Sequence, residues 1–225
     1  MDFDYESLNK SFFYSFVKLP LWIASHIVYK YRCKGRKNIP SDGSLIIACN
    51  HVAFSDPALI VVNCPRKIYY MAKSDLFENR ALAVLLKNMN AFPVRRWTAD
   101  RKAIRYAVKV LRNKEVLGIF PEGRRVRGGV EPVEARKGIG YIARSSGADV
   151  LPCCIFKVEK RIRSELILIF GEVIKNKDLF SSEILLSSSE SAELATSIIM
   201  DRIKKLWLNQ KKSYEQQKPQ DSASE

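Results

Sequence analysis

The feature that most constrains the fold is an alternation of short apolar runs with helical patterns, which begins near residue 44. Ser44–Cys49 predicts a buried strand, and Pro57–Cys64 predicts a helix with Asp56 as its cap. Further candidate strands follow at Lys67–Ala72, Ala91–Val94, Val116–Phe120, Val150–Phe156 and Leu166–Phe170. Strands that alternate with helices favour a single α/β domain with a mixed, largely parallel central sheet flanked by helices.

The segments between these strands carry the spacing of helices. The candidate helices are Leu76–Met89, Thr98–Arg112, Glu134–Ser146 and Ala192–Leu208. In the second of them, apolar residues recur every three or four positions, which places them on one side of a helix. Sheets of this kind bind ligands at the carboxyl ends of their strands, so residues that directly follow a strand are the candidates for a site.

Composition excludes several classes of protein and leaves the partner open. With 47% hydrophobic residues, the chain has ample apolar material for a core, and 10 Gly and 9 Pro exclude a fibrous chain. The 38 Lys and Arg against 24 Asp and Glu favour a negatively charged partner: nucleic acid, an anionic membrane or a phosphorylated substrate. The five cysteines match no zinc pattern and indicate reduced thiols in a cytosolic protein, so no metal is expected.

Both ends of the chain differ from this pattern. Ser11–Tyr29 is apolar and aromatic, is interrupted by Pro20, and precedes a basic cluster at residues 30–37. These features predict a helical segment at residues 1–33 that lies in a membrane interface. A helix packed on the domain and a true membrane span remain alternatives. The α/β domain is expected at residues 34–208, and residues 209–225, which have little apolar content, are expected to form a disordered tail.

A histidine stands directly after the first predicted strand of the domain. His51 follows Ser44–Cys49, and Asp56 comes five residues later. A turn between them would bring the carboxylate onto the imidazole, which would then take a proton from a hydroxyl while the carboxylate fixes its tautomer. Because Asp56 also suits a plain helix cap, this spacing alone is a weak signal.

Charged residues follow three other predicted strands. Lys73, Arg96 and Arg125 each follow a different strand, and Glu122 and Gly123 lie close to Arg125. Each cation alone is more often a surface charge than a ligand. If the strands share one sheet, however, the cations converge with the histidine on one pocket, which would suit a phosphorylated alcohol.

Four segments, in order, resemble the blocks of the glycerophospholipid acyltransferase family, most closely its bacterial lysophosphatidic acid acyltransferases. The segments read NHVAFSDP, AFPVRR, FPEGRRV and VLPCCIF, and the similarity extends from about residue 34 to about residue 156. Four blocks in the same order are far more specific than any one of them.

The resemblance implies both a reaction and the roles of individual residues. The implied reaction moves a fatty acyl group from an acyl carrier protein or acyl-coenzyme A to the sn-2 hydroxyl of lysophosphatidic acid, without a metal or other cofactor, and gives phosphatidic acid. The enzyme would sit on the cytoplasmic side of the cell membrane as a peripheral or monotopic protein. By position, the implied roles are general base for His51, its partner for Asp56, phosphate binding for Lys73, Arg96 and Arg125, and contacts to glycerol phosphate for Glu122 and Gly123.

The chain departs from the family at two places. Asn90 stands where the family often has glycine, which is a mild change because asparagine also adopts a left-handed backbone. Arg124 replaces the usual threonine, so a related acyltransferase for glycerol 3-phosphate or another lysolipid remains an alternative. A non-catalytic basic module that binds membrane or nucleic acid is a third. Nucleic acid is not expected, because no nucleic-acid fold signature is present.

Overall fold

A single mixed sheet organises the structure, a computed structural model that describes residues 3–5, 11–95, 98, 100–126, 131–133, 135, 137–158, 164–181 and 186–217. Within these residues the strands run in the order β1-β7-β6-β2-β5-β3-β4. Their bounds are β1 Lys30–Lys34, β2 Leu45–Cys49, β3 Ile68–Lys73, β4 Ala91–Val94, β5 Val116–Ile119, β6 Asp149–Val158 and β7 Glu165–Phe170. The five strands from β6 to β4 are parallel, while β7 is antiparallel to β6 and parallel to β1. The predicted α/β class is confirmed.

Helices cover both faces of this sheet. They are α1 Ser11–Val28, α2 Asp56–Asn63, α3 Arg80–Asn88, α4 Arg101–Arg112, α5 Gly138–Ser146, α6 Asn176–Leu179 and α7 Ser188–Gln216. Because side chains alternate along a strand, Leu45 and Ile47 of β2 enter one core with α1, α2 and α3. Ile46 and Ala48 enter the other core with α4, α5 and α7. The helices α1 and α4 therefore lie on opposite faces of the sheet.

Each predicted helix begins at a different residue from the observed one, and a capping residue accounts for two of these differences. The predicted helix Leu76–Met89 is divided into a short 3-10 turn and α3, because the Asn79 side chain accepts from the Leu82 N–H and starts a new helix. The cap of α2 is Ser55, and Asp56 is the first helical residue. The carboxylate of Asp56 is therefore free to serve the preceding turn.

The predicted boundary after residue 33 is wrong, because it falls inside a strand. Lys30–Lys34 forms β1, which pairs with β7 at one edge of the sheet. Half-buried Tyr31 and Cys33 alternate with exposed cations, the pattern of an edge strand with one solvated side. The basic cluster concealed this strand because charged residues occupy every exposed position.

The prediction of a disordered tail from residue 209 is wrong as far as residue 216. The helix α7 continues to Gln216, Trp207 and Gln210 are buried, and Lys34 Nζ donates to Gln210 Oε1 at 2.8 Å. A few contacts suffice to extend a helix whose earlier turns are already packed on the sheet. Residues 218–225 of the predicted tail lie outside the described residues.

Among the side chains that the structure describes, some of those on the N-terminal helix α1 pack on the domain and others are exposed. Tyr14 is buried, its hydroxyl accepts from the Ile68 N–H at 3.0 Å, and Lys18 Nζ donates to the Cys64 carbonyl at 2.8 Å. Large apolar side chains nevertheless remain exposed on α1, with exposed fractions of 69% for Phe16, 63% for Leu19 and 68% for Ile27. Judged by length and apolarity, none of the described helices, α1 included, meets the requirement for crossing a bilayer.

Close packing of α5 on α7 depends on a glycine. A side chain at Gly140 would collide with the Ala192 carbonyl and the Thr196 hydroxyl, whereas one at Gly138 would meet open space. We expect Gly140→Ala to lower the free energy of unfolding by about 1–3 kcal/mol, because the obstacle is backbone of a packed helix. Urea denaturation measures the change, and Gly138→Ala is the matched control. Equal stability of the two variants would contradict this account of the interface.

Candidate active site

The predicted site residues converge on one edge of the sheet. Because β2, β3, β4 and β5 are parallel neighbours, the loops that follow them leave at the same carboxyl edge. His51 follows β2, Lys73 ends β3, and the loop with Glu122 and Arg125 follows β5. Arg96, which follows β4 in sequence, lies outside the described residues.

A tight turn brings Asp56 back onto His51. The distance from His51 Nδ1 to Asp56 Oδ2 is 2.7 Å. The same carboxylate oxygen accepts the backbone N–H groups of Val52 at 2.7 Å and Ala53 at 2.8 Å. Because a carboxylate only accepts hydrogen bonds, Nδ1–H is the donor of the third one, and in the neutral imidazole Nε2 then carries no proton. Such a geometry would suit a general base and its orienting carboxylate.

The imidazole is also held by an aromatic ring. The ring of His51 stacks on that of Phe120 with a centroid distance of 4.2 Å and an interplanar angle of 24°. The ring of Tyr70 is also nearly parallel to that of Phe120, with a centroid distance of 6.2 Å. These contacts limit rotation of the imidazole and remove water from one of its faces. The role of Phe120 was not predicted, although it is the last residue of an apolar run that leads into the site.

Glu122 holds the backbone beside the histidine. Its Oε2 accepts the His51 N–H at 2.9 Å, and its Oε1 accepts the Val133 N–H at 3.2 Å. The loop also makes a return bond, from the Val126 N–H to the His51 carbonyl at 2.7 Å. Burial raises the pKa of the Glu122 carboxyl above its ordinary value, against the lowering effect of both N–H donors. The structure thus gives Glu122 a positioning contact that the sequence did not indicate.

Asn50, next to the histidine, joins β2 to β6 and was also not predicted. Its Nδ2 donates to the Ile155 carbonyl at 3.0 Å, and its Oδ1 accepts the Ile155 N–H at 2.8 Å. This buried amide continues the pairing of the two strands beyond the last residue of β2. The polar residue directly before the histidine was the only signal for it in the sequence.

The basic residues are less constrained than the histidine pair. Lys73 is half-buried and forms an ion pair with exposed Asp75. Arg125 is exposed on the loop after β5. Gly123 has a φ of 66°, which favours glycine, and its N–H donates to the Phe120 carbonyl at 3.0 Å in a tight turn. The loop after β5 is thereby folded back towards the histidine.

A mainly apolar cleft of about 190 Å³ opens beside this loop, between α4 and α5. Its lining includes the polar residues Arg95, Thr98 and Asp100, and the Asp100 carboxylate accepts the Arg95 N–H at 3.0 Å. The apolar part of the cleft is lined by Met71, Val94, Ile104, Ile119, Ile139 and Ile142. The edge of the sheet therefore combines an oriented imidazole, several cations and an adjacent apolar space.

Comparison with known proteins identifies the family. The family model described as Acyltransferase matches residues 30–156. A protein of Bacillus subtilis (strain 168) named 1-acyl-sn-glycerol-3-phosphate acyltransferase is 32% identical over 181 residues, covering 76% of this chain and 85% of that protein. One of the same name from Borreliella burgdorferi (strain ATCC 35210 / DSM 4680 / CIP 102532 / B31) is 30% identical and covers 84% and 75%.

A solved structure shows the same fold. The crystal structure of the 1-acyl-sn-glycerophosphate (LPA) acyltransferase PlsC from Thermotoga maritima matches with a TM-score of 0.70 and 22% identity, covering 88% of this chain and 79% of that chain. The similarity of fold agrees with the family match and with the two bacterial relatives. The chain therefore belongs to the acyltransferase family, and the resemblance seen in its four sequence blocks is confirmed.

Proposed function

We propose that this chain transfers a fatty acyl group from a thioester to the sn-2 hydroxyl of 1-acylglycerol 3-phosphate, which gives phosphatidic acid for phospholipid synthesis. The observation that carries the proposal is the His51–Asp56 pair, 2.7 Å apart at the carboxyl edge of the sheet. The names of the two bacterial relatives support this choice of acceptor.

In the proposed mechanism, His51 Nε2 takes the proton of the acceptor hydroxyl while the oxygen attacks the thioester carbonyl. The resulting imidazolium is stabilised by Asp56, whose carboxylate lies on the Nδ1 side of the ring. As the tetrahedral intermediate collapses, the C–S bond breaks and the new ester forms. The imidazolium then donates its proton to the leaving thiolate. The proton of the acceptor hydroxyl thereby ends on the leaving thiol, and no covalent enzyme intermediate is formed.

The acceptor phosphate is assigned to Lys73, Arg96 and Arg125. Lys73 is available for this role because its present partner, Asp75, is exposed, and an exposed ion pair contributes little free energy. The two arginines provide planar donors that bind a phosphate through two hydrogen bonds. For Arg96 the assignment rests on the family resemblance, and Gly123 would let the backbone approach the glycerol phosphate.

The reaction is tested by identifying products. The purified full-length chain is incubated with lysophosphatidic acid, glycerol 3-phosphate or lysophosphatidylcholine, each with an acyl-coenzyme A or an acyl carrier protein donor. We expect phosphatidic acid from the first acceptor as the main product detected by mass spectrometry. Faster acylation of glycerol 3-phosphate would contradict the proposed acceptor and identify glycerol 3-phosphate in its place. The absence of any acylated product would refute the proposed reaction.

We propose that α1 lies in the membrane interface on the cytoplasmic side, as part of a peripheral or monotopic protein. Four of its exposed apolar residues recur at helical spacing and form one stripe: Phe16, Leu19, Ile23 and Ile27. Such a stripe binds at the boundary between headgroups and acyl chains, where the lipid acceptor is found. Exposed cations of β1 lie directly after it in the chain and would attract anionic headgroups.

Replacing two residues of this stripe should weaken membrane binding. We expect Leu19→Ser/Ile27→Ser to lower the partition coefficient for anionic liposomes about tenfold or more, because exposed apolar area that would enter the bilayer is lost. Liposome co-sedimentation measures the change. The matched control is Tyr141→Ser/Leu194→Ser, which removes exposed apolar residues on the opposite side of the sheet. Equal sedimentation of both variants would exclude α1 as the membrane contact.

A further inference from the structure

The outer side of α4 is a continuous cationic surface. The helix has no acidic residue, and its five cations are exposed: Arg101, Lys102, Arg105, Lys109 and Arg112. The opposite side of the helix, with Ala103, Ala107 and Leu111, is buried in the core. We call the five exposed cations the cationic face of α4. Such a surface attracts an anionic partner and accelerates its encounter with the protein.

This face begins next to the apolar cleft beside the active site. The helix α4 follows β4, so its first turn lies at the carboxyl edge of the sheet. Asp100 caps that turn by accepting the Ala103 N–H at 3.1 Å, and both Asp100 and Ile104 line the cleft. A partner bound along α4 would therefore have one end beside the entrance to the cleft.

The position of α4 disfavours a membrane as this partner. The exposed apolar stripe of α1 belongs to the opposite side of the sheet, so a flat bilayer that binds α1 faces away from α4. The exposed side of α4 also differs from the apolar stripe of α1, because it presents charged groups while the buried residues of α4 are apolar. Peripheral helices that insert into bilayers expose both kinds of side chain.

The length of the face favours a protein over a small anion. A helix of 12 residues is about 18 Å long, which exceeds what the phosphates of one coenzyme would span. We propose that the cationic face of α4 is the docking surface for an acidic acyl carrier protein, which delivers its acyl thioester to the cleft. This inference rests on the proposed function, since it identifies the partner that supplies the acyl group.

The test measures binding directly, with palmitoyl-loaded acyl carrier protein and the full-length chain at low ionic strength. The variant Arg101→Glu/Arg105→Glu is compared with Arg202→Glu/Lys212→Glu, which makes the same change of charge at exposed positions of α7. We expect the first variant to raise the dissociation constant about tenfold or more and the second to leave it unchanged. Binding by the unmodified chain should weaken as salt is added.

Three outcomes would overturn the inference: no binding of the carrier by the unmodified chain, equal effects of the two variants, or a loss of liposome binding in place of carrier binding. If the first variant fails to fold by circular dichroism, Arg101→Gln/Arg105→Gln replaces it. Transfer from palmitoyl-coenzyme A to lysophosphatidic acid is measured separately on the unmodified chain. Absence of product with this donor and with palmitoyl-loaded acyl carrier protein would refute the proposed function, whereas carrier binding is read without any turnover.

Discussion

Replacing His51 with alanine is expected to lower kcat by a factor of about 10²–10⁴, the usual contribution of a positioned general base. The imidazole is the group whose Nε2 faces the acceptor hydroxyl in the proposed mechanism, and Asp56 cannot replace it from behind the ring. The fold should persist, because the bonds from Glu122 and Val126 go to the backbone of residue 51 and survive the substitution. Steady-state acyl transfer and thermal unfolding measure the two properties.

The chain provides its own control for this experiment, because it has one other histidine. His26 lies on α1, where its Nδ1 is 2.8 Å from the Trp22 carbonyl. His26→Ala should retain acyl transfer in detergent micelles, where membrane binding does not limit the rate. Substantial activity of His51→Ala with a normal melting temperature would exclude the imidazole as the base.

The substitution Asp56→Asn is expected to reduce kcat about a thousandfold while KM for the acceptor changes little. The asparagine oxygen can still accept the N–H groups of Val52 and Ala53, so the turn should remain. The lost charge would no longer stabilise the imidazolium, and the added amide hydrogens would favour the wrong tautomer of His51. A lower kcat with a nearly unchanged KM would therefore indicate that Asp56 acts by positioning and stabilising the imidazole of His51.

A carboxylate that can serve as a control lies at the amino ends of the parallel strands, opposite the candidate site. Asp149 likewise accepts a backbone N–H, from Asn176 at 2.9 Å, and it forms an ion pair with Lys175. It lies, however, at the amino end of β6. Asp149→Asn should alter stability without altering kcat. If both asparagine variants lowered kcat equally, the effect would be one of folding, and the assigned role of Asp56 would be wrong.

Sequence reasoning located several of the parallel strands well because their apolar residues are consecutive along the chain. Apolar runs bounded by turn residues located β2, β4 and β5 to within a residue of their observed ends. The strand β1 was missed because charged side chains alternate with half-buried ones along it and obscure its apolar pattern. The end of α7 was missed because its last turns bury few residues, which a measure of apolar content does not detect.

The contact between His51 and Asp56 could also be predicted from the sequence, whereas the contacts that Glu122 and Phe120 make with His51 could not. His51 and Asp56 lie five residues apart, so one turn could be inferred from spacing and residue type. The contacts of Glu122 and Phe120 join residues about 70 positions apart and depend on which strands are neighbours and in what register. Residue types alone do not contain that register.

The two backbone bonds on either side of His51 have a consequence for acceptor choice. The loop after β5 accepts the His51 N–H through Glu122 and donates to the His51 carbonyl from Val126, so two hydrogen bonds hold residues 122–126 to the backbone of His51. Arg125 is the residue directly before Val126. Under the proposed assignment, backbone geometry then sets the separation between the bound phosphate and the reacting hydroxyl. Acceptors would be selected by the number of bonds between those two groups, largely independently of the length of their acyl chains.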